Sequence, residues 1–333
     1  MPVSEPLSNT RTRSAPLSRG LDWRLAFLLL SLIWGSSFLL IKIGTEALAP
    51  AQISLGRMAT GALPMVAVLL LTRGRLPRGV RTWAHLSVAA FFLNVVPFTL
   101  FGYAEQSIPS ALAGIANATT PLFTLAVSLV VLSDERPTGR RLAGLGVGFI
   151  GVLLVFGVWS GPAGAGGAGM FMALGAALCY GIGTPYLRRF LTGRGHGSLE
   201  LTAGQLISGT VQLAVLTPLI TDAPESLPWR VVLAVSALGA LGTGLAYVLM
   251  YRLVERVGAT VATTVTYVAP VVAIAAGVLI LDESLAWHHP VGAAVIIVGA
   301  ALCQSSAARP RGGTPPASAA SAAPDAPAQS SRS

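Results

Sequence analysis

The chain has 333 residues, 53% of them hydrophobic and 11% charged, with a net charge of +9. Soluble domains carry roughly 25% charged residues, so water is not the main solvent of this protein. A basic balance raises nucleic acid or an acidic surface as partners, and the placement of the charges, given below, argues against nucleic acid.

In chain order, residues 1–23 are polar and rich in Ser, Arg and Pro, the composition of a disordered tail. The apolar run from Leu25 continues through Trp34 with no small-residue cleavage motif, so it reads as a retained first span and not as a signal peptide. Apolar segments are predicted near 24–44, 52–72, 83–103, 110–132, 141–159, 169–190, 199–220, 231–251, 259–281 and 290–306. A bilayer is crossed by about 20 apolar residues in a helix. The predicted fold class is therefore an all-α polytopic membrane protein with ten transmembrane helices. A Gly-rich linker at 160–168 separates a first unit, 24–159, from a second, 169–306. Residues 307–333 are Ala, Pro and Ser with scattered charge, a second disordered tail. Cys179 and Cys303 both sit in apolar runs and read as small buried or lipid-facing residues.

Arginine fixes the expected orientation. Arg11, Arg13, Arg19 and Arg24 precede span one, and Arg73, Arg75, Arg78 and Arg81 lie between spans two and three. Arg136, Arg140 and Arg141, then Arg188, Arg189 and Arg194, then Arg252 and Arg256 occupy every second loop after that, and Arg309 follows span ten. The alternate loops carry Glu46, Glu105, Asp222, Glu225, Asp282 and Glu283, with Arg230 as their one Arg or Lys. The positive-inside rule then places both termini in the cytoplasm and the protein in the cell (inner) membrane. The basic charge is a topology signal, with the lipid bilayer as its partner.

The chain also repeats itself. Ala111-Leu112-Ala113-Gly114 leads to Thr119-Thr120-Pro121, then Asp134-Glu135, Gly144 and Gly151. Ala259-Thr260-Val261-Ala262 leads to Tyr267-Val268-Ala269-Pro270, then Asp282-Glu283, Gly292 and Gly299. A fainter match links Trp34-Gly35 with Tyr180-Gly181. A repeat this long marks a duplicated unit. The unit is five spans, an odd number, so the halves are expected to be inverted about an axis in the membrane plane. That is the plan of secondary transporters, with a solute site near midplane.

These residues carry a resemblance. Trp34-Gly35-Ser36-Ser37-Phe38, Arg57, the midspan Pro121 and Pro270 and the acidic exits Asp134-Glu135 and Asp282-Glu283 resemble the EamA family of the drug/metabolite transporter superfamily. The resemblance covers roughly residues 24–306. It implies two five-helix repeats, a central cavity and movement of small metabolites, often outward. Tyr180 stands where many second repeats of the family carry tryptophan.

Catalytic chemistry has no foothold in the residues. Gly146-x-Gly148-x-x-Gly151 matches a dinucleotide fingerprint, but inside an apolar span with no preceding strand it reads as close helix packing. Asn117-Ala118-Thr119 matches a glycosylation acceptor buried in a span. Ser-His-acid, His-Glu-x-x-His and paired-Cys arrangements are lacking, so no enzyme activity, cofactor or metal is expected.

The midspan polar residues point to a cavity instead, because lipid offers them no hydrogen bonds. Asn117, Thr120, Pro121 and Thr124 share one helical face, as do Thr263, Thr266, Tyr267 and Pro270. Gln205, Ser208 and Gln212 share another, and Tyr247 and Tyr251 a fourth. Interhelical bonding is the alternative use of such groups. The candidate solute-binding residues are Trp34, Ser37, Phe38, Arg57, Asn94, Asn117, Thr120, Tyr180, Gln205, Tyr247, Thr263 and Tyr267, with Pro121 and Pro270 as hinges. Arg57 lies roughly 7 Å from midplane at 1.5 Å per residue, where a bare guanidinium costs at least ~2.5 kcal/mol. It could pair with Glu46 or Glu105, snorkel outward, or bind an anionic group of the solute. Lys42, the chain's one lysine, is expected to snorkel to the headgroups, with an outer gate as the alternative. No Asp, Glu or His is expected near the middle of a span, which leaves a central carboxylate relay unsupported. The expected function is alternating-access transport of small organic metabolites or drug-like solutes, more outward than inward. A non-transporting scaffold or sensor and a passive channel are the alternatives. Nothing in the residues sets an oligomeric state.

Overall fold

A computed structural model describes residues 22–132, 138–157 and 167–305. The two tails, Asp134-Glu135 and most of the 160–168 linker lie outside the described residues. Within them the fold is all helix, with no strand. The segments are α1 (Trp23–Gly44), α2 (Pro50–Leu71), α3 (Val80–Ala104), α4 (Ser110–Val131), α5 (Gly139–Phe156), α6 (Gly167–Phe190), α7 (Ser198–Ile220), α8 (Trp229–Gly258), α9 (Val265–Ile280) and α10 (His288–Ser305). The first eight are long and apolar enough to cross a membrane, and α9 and α10 are shorter apolar helices. Gly258, at φ 82°, ends α8. The chain is helical again to Ala262, turns at Thr263 and Thr264, and continues as α9.

The starts of α2 and α7 show how local sequence sets these elements. The third residue of each helix reaches back to the exposed backbone N–H before it: Gln52 Oε1 accepts from Ala49 at 2.9 Å, and Glu200 Oε2 from Gly197 at 3.3 Å. Such contacts satisfy donors that a helix start leaves free. Large apolar residues face outward, with Leu63, Val130, Phe149 and Leu279 all exposed, whereas Asn94, Glu105 and Gln205 are buried. Polar groups inside and apolar ones outside is the arrangement for a lipid surround.

The two halves interdigitate. α1 packs on α9, α2 on α7 and α8, α3 and α4 on α6, and α5 on α10. The α5–α10 seam is built of glycine. A Cβ at Gly299 would lie 2.5 Å from the Gly148 nitrogen, and one at Gly151 would lie 2.7 Å from the Ile296 nitrogen. The backbones therefore touch, as small residues allow in membranes. This is the packing role expected of the glycine motif for Gly148 and Gly151. Gly146 faces open space.

Local irregularity is duplicated too. α3 contains a π segment, Phe91–Val95, and α8 contains another, Ala240–Leu245. α4 is interrupted at Ala118–Thr119 and the α9 span at Thr263–Thr264. Pro121 opens the helix that follows the first break, while Pro270 lies inside continuous helix beyond the second.

Candidate functional site

A cavity of about 350 Å3 lies between the halves. α1–α4 and α6–α9 all contribute to its wall, and α5 and α10 do not. Nine of the twelve candidate residues line it: Trp34, Ser37, Phe38, Arg57, Asn117, Thr120, Tyr180, Gln205 and Tyr247. Three do not. Asn94 is fully buried behind Gln205, whose Nε2 donates to Asn94 Oδ1 at 2.6 Å. Tyr267 packs against the main apolar cluster with its hydroxyl buried outside the lining. Thr263 sits at the turn, its carbonyl accepting from Thr266 Oγ1 at 2.8 Å, and Thr266 takes the place on the wall. The break at Thr263–Thr264 shifts the helical face from which these positions were read.

Phe98, Phe101, Thr184, Thr202 and Thr243 line the cavity without having been singled out by sequence. The apolar ones carry no signal in an apolar chain. Thr243 is the structural counterpart of Asn94, each being the fourth residue of its π segment, an equivalence that only the structure reveals.

That equivalence extends further. Arg57 and Gln205 are each the eighth residue of α2 and α7. Arg57 Nε donates to Thr243 Oγ1 at 3.0 Å, and Gln205 bonds to Asn94. The two halves thus use the same pair of helix positions for the same bond between halves, one with a cation and one with a neutral amide. The Phe98 ring lies 3.7 Å from the Arg57 guanidinium carbon, within cation–π range.

Arg57 pairs with neither expected acid. The Glu46 carboxylate lies 3.3 Å from Arg230, and neither carboxylate oxygen of Glu105 has a hydrogen-bond partner. Thr243 and Phe98 hold Arg57 against the cavity, so snorkelling is also unused. Lys42 does not snorkel either. Its Nζ donates to the backbone carbonyls of Glu105 and, at 3.4 Å, Ile108, which the end of α3 leaves without helical partners. Gln212, on the face of Gln205, bonds to the Ser87 carbonyl at 2.9 Å and serves helix packing.

The two ends of the cavity differ. Toward the end where the arginine loops are sparse, Phe38 and Phe101 meet edge to face at 5.3 Å, and both are buried with Ile41. Just beyond, Glu283 accepts from the backbone N–H of Ser110 at 2.7 Å and of Ala111 at 3.0 Å, tying the halves together. Gln52 adds a bond to the Asp222 carbonyl at 2.7 Å. Toward the arginine-rich end the wall consists of Thr184, which is exposed, and Leu187 and Tyr251, which are half-buried. Tyr251 meets the Thr202 hydroxyl there. Access is therefore from the arginine-rich side. Among the described residues no group of three His, Cys, Asp or Glu is placed to hold a metal ion.

Comparison with known proteins fits this architecture. The EamA-like transporter family is matched twice, over residues 22–157 and 167–304. The chain is 26% identical over 281 residues to an uncharacterized inner membrane transporter, YedA, of Escherichia coli strain K12, covering 83% of this chain and 89% of that one. It is 25% identical to the uncharacterized transporter YoaV of Bacillus subtilis strain 168, over 83% and 94% of the two chains. It is 30% identical to an S-adenosylmethionine/S-adenosylhomocysteine transporter of Chlamydia trachomatis serovar D, over 76% and 80%. One crystal structure superposes with a TM-score of 0.60 at 21% identity, over 86% of this chain and 99% of that one. That likeness concerns the fold.

Proposed function

The chain belongs to the EamA-like transporter family, and from that premise we propose that it is a secondary carrier of small organic solutes, working by alternating access and exporting more than it imports. The observation that carries this reading is the cavity shared by both repeats, closed at one end and accessible at the other. A carrier must offer one site to the two sides in turn, and two inverted halves around a central site supply that. Ten crossings, with the two units inverted, are part of the same reading, as are cytoplasmic termini. In that orientation the accessible end faces the cytoplasm, so the described conformation is the inward-facing one. The S-adenosylmethionine/S-adenosylhomocysteine relative supports organic metabolites as cargo.

The test is counterflow. Protein is reconstituted in liposomes loaded with unlabelled amino acids, nucleosides and aromatic carboxylates, and uptake of each labelled counterpart is followed. A carrier gives saturable uptake that the internal solute accelerates. Uptake that neither saturates nor responds to internal solute indicates a channel, and no uptake of any member indicates the scaffold or sensor.

A further inference from the structure

Arg57 is the one charged side chain on the cavity wall among the described residues. Its Nε is committed to Thr243 and one face of its guanidinium plane to Phe98, but among the described residues its two terminal nitrogens make no hydrogen bond. No carboxylate lies within ion-pair distance of it among the described residues. A cation held this deep without a counter-ion is costly, and attraction by an opposite charge is strengthened by the same low dielectric. The equivalent place in the other half is filled by Gln205, which donates to Asn94 Oδ1 and carries no charge, while among the described residues Asn94 Nδ2 is left without a partner. The cavity is therefore lopsided: a single open guanidinium edge on one side, neutral amides on the other, and Trp34, Phe98 and Tyr180 around them.

We infer that the solute is a small organic monoanion, whose carboxylate takes the open edge of Arg57 and whose apolar body lies against the aromatic wall. This rests on the carrier reading above and names its substrate class. A guanidinium edge meets a carboxylate through two parallel N–H···O bonds. Thr243 and Phe98 fix the plane of that edge beforehand, so little ordering remains to be done on binding. A neutral solute would leave the charge unmatched, and an organic cation would meet repulsion.

The experiment uses the purified full chain and three probes of one shape: 3-phenylpropionate, 3-phenylpropanamide and 3-phenylpropylamine. Thermal stabilisation is titrated for each, in chloride and in a chloride-free buffer. The carboxylate should stabilise saturably, and the amide and the amine should not. Arg57→Gln should weaken the carboxylate by about 10- to 100-fold, and Arg57→Lys should recover part of that loss. Equal binding of amide and carboxylate by the unaltered protein overturns the inference, and that comparison needs no variant to fold. So does unchanged carboxylate affinity in Arg57→Gln, which would leave Arg57 a purely structural residue. Stabilisation by chloride alone, with none from the carboxylate, makes the guanidinium the seat of a resident counter-ion and also overturns it, as does binding of none of the three probes. None of these outcomes touches the carrier reading, which stands or falls on counterflow of the wider solute set.

Discussion

Glu105 follows directly on the last residue of α3 and is fully buried, with both carboxylate oxygens unpartnered. Burial pushes its carboxyl well above the usual carboxylate range; Lys42 opposes this, Glu283 adds to it, and Arg57 opposes it more weakly. Lys42 does not relieve it by bonding, because it spends its ammonium on backbone carbonyls. A carboxyl raised by folding contributes stability that is fully present below its ordinary value and is lost as pH rises through the raised one. The melting temperature of the protein should therefore fall as pH is raised from the acid side, and Glu105→Gln, which cannot ionise, should flatten that fall. Parallel melting curves for the two proteins across pH would show that Glu105 does not titrate in this way. Residues of this kind were only half legible. Glu105 could be placed at a loop from the sequence, but not its full burial, which depends on how the helices pack, with Lys42 of α1 bonded to the Glu105 backbone carbonyl. Arg57 stood out as a charge in an apolar run, whereas its partner Thr243 is small, neutral and unremarked in such a run until the π segment turns it inward.

The helices themselves were legible, because each apolar run of about 20 residues has few other fates. Their irregularities were not. The π segments in α3 and α8 leave no compositional trace, since Phe91–Val95 and Ala240–Leu245 share no residue pattern beyond their position. Such single-turn bulges sit often at functional sites, because they rotate the following face. Here they present Asn94 to Gln205 and Thr243 to Arg57. The glycine seam is the opposite case, visible in sequence and found in the packing. It gives a paired prediction. Gly299→Val would place a Cβ 2.5 Å from the Gly148 backbone nitrogen, which cannot retreat without parting α5 from α10. It should cost about 1–3 kcal/mol through overpacking. Gly146→Val meets open space and should be tolerated. Thermal melting of the two variants beside the parent decides this, and equal stability of all three would remove the seam's importance.

For the whole molecule, the arginine partition predicts orientation. Reporter fusions at Arg78 and Arg194, both exposed between helices, should report cytoplasm, and one at Glu225 the outside. A periplasmic signal from Arg78 would reverse the assignment of the accessible end. The duplicated design was readable in sequence from Pro121 and Pro270 and their following glycines. Its asymmetry was not, because Arg57 and Gln205 become counterparts only once α2 and α7 are aligned by their starts. That asymmetry has a consequence of parity. Two identical five-helix chains meeting on a two-fold axis would show every side chain twice, so the cavity could hold no charge or two, never one. Joining the halves in one chain lets the equivalent positions drift apart, and an odd count becomes possible. A singly charged pocket is thus open to a fused protein and closed to a symmetric pair, which makes Arg57 opposite Gln205 a thing that duplication alone could not provide and divergence after it could.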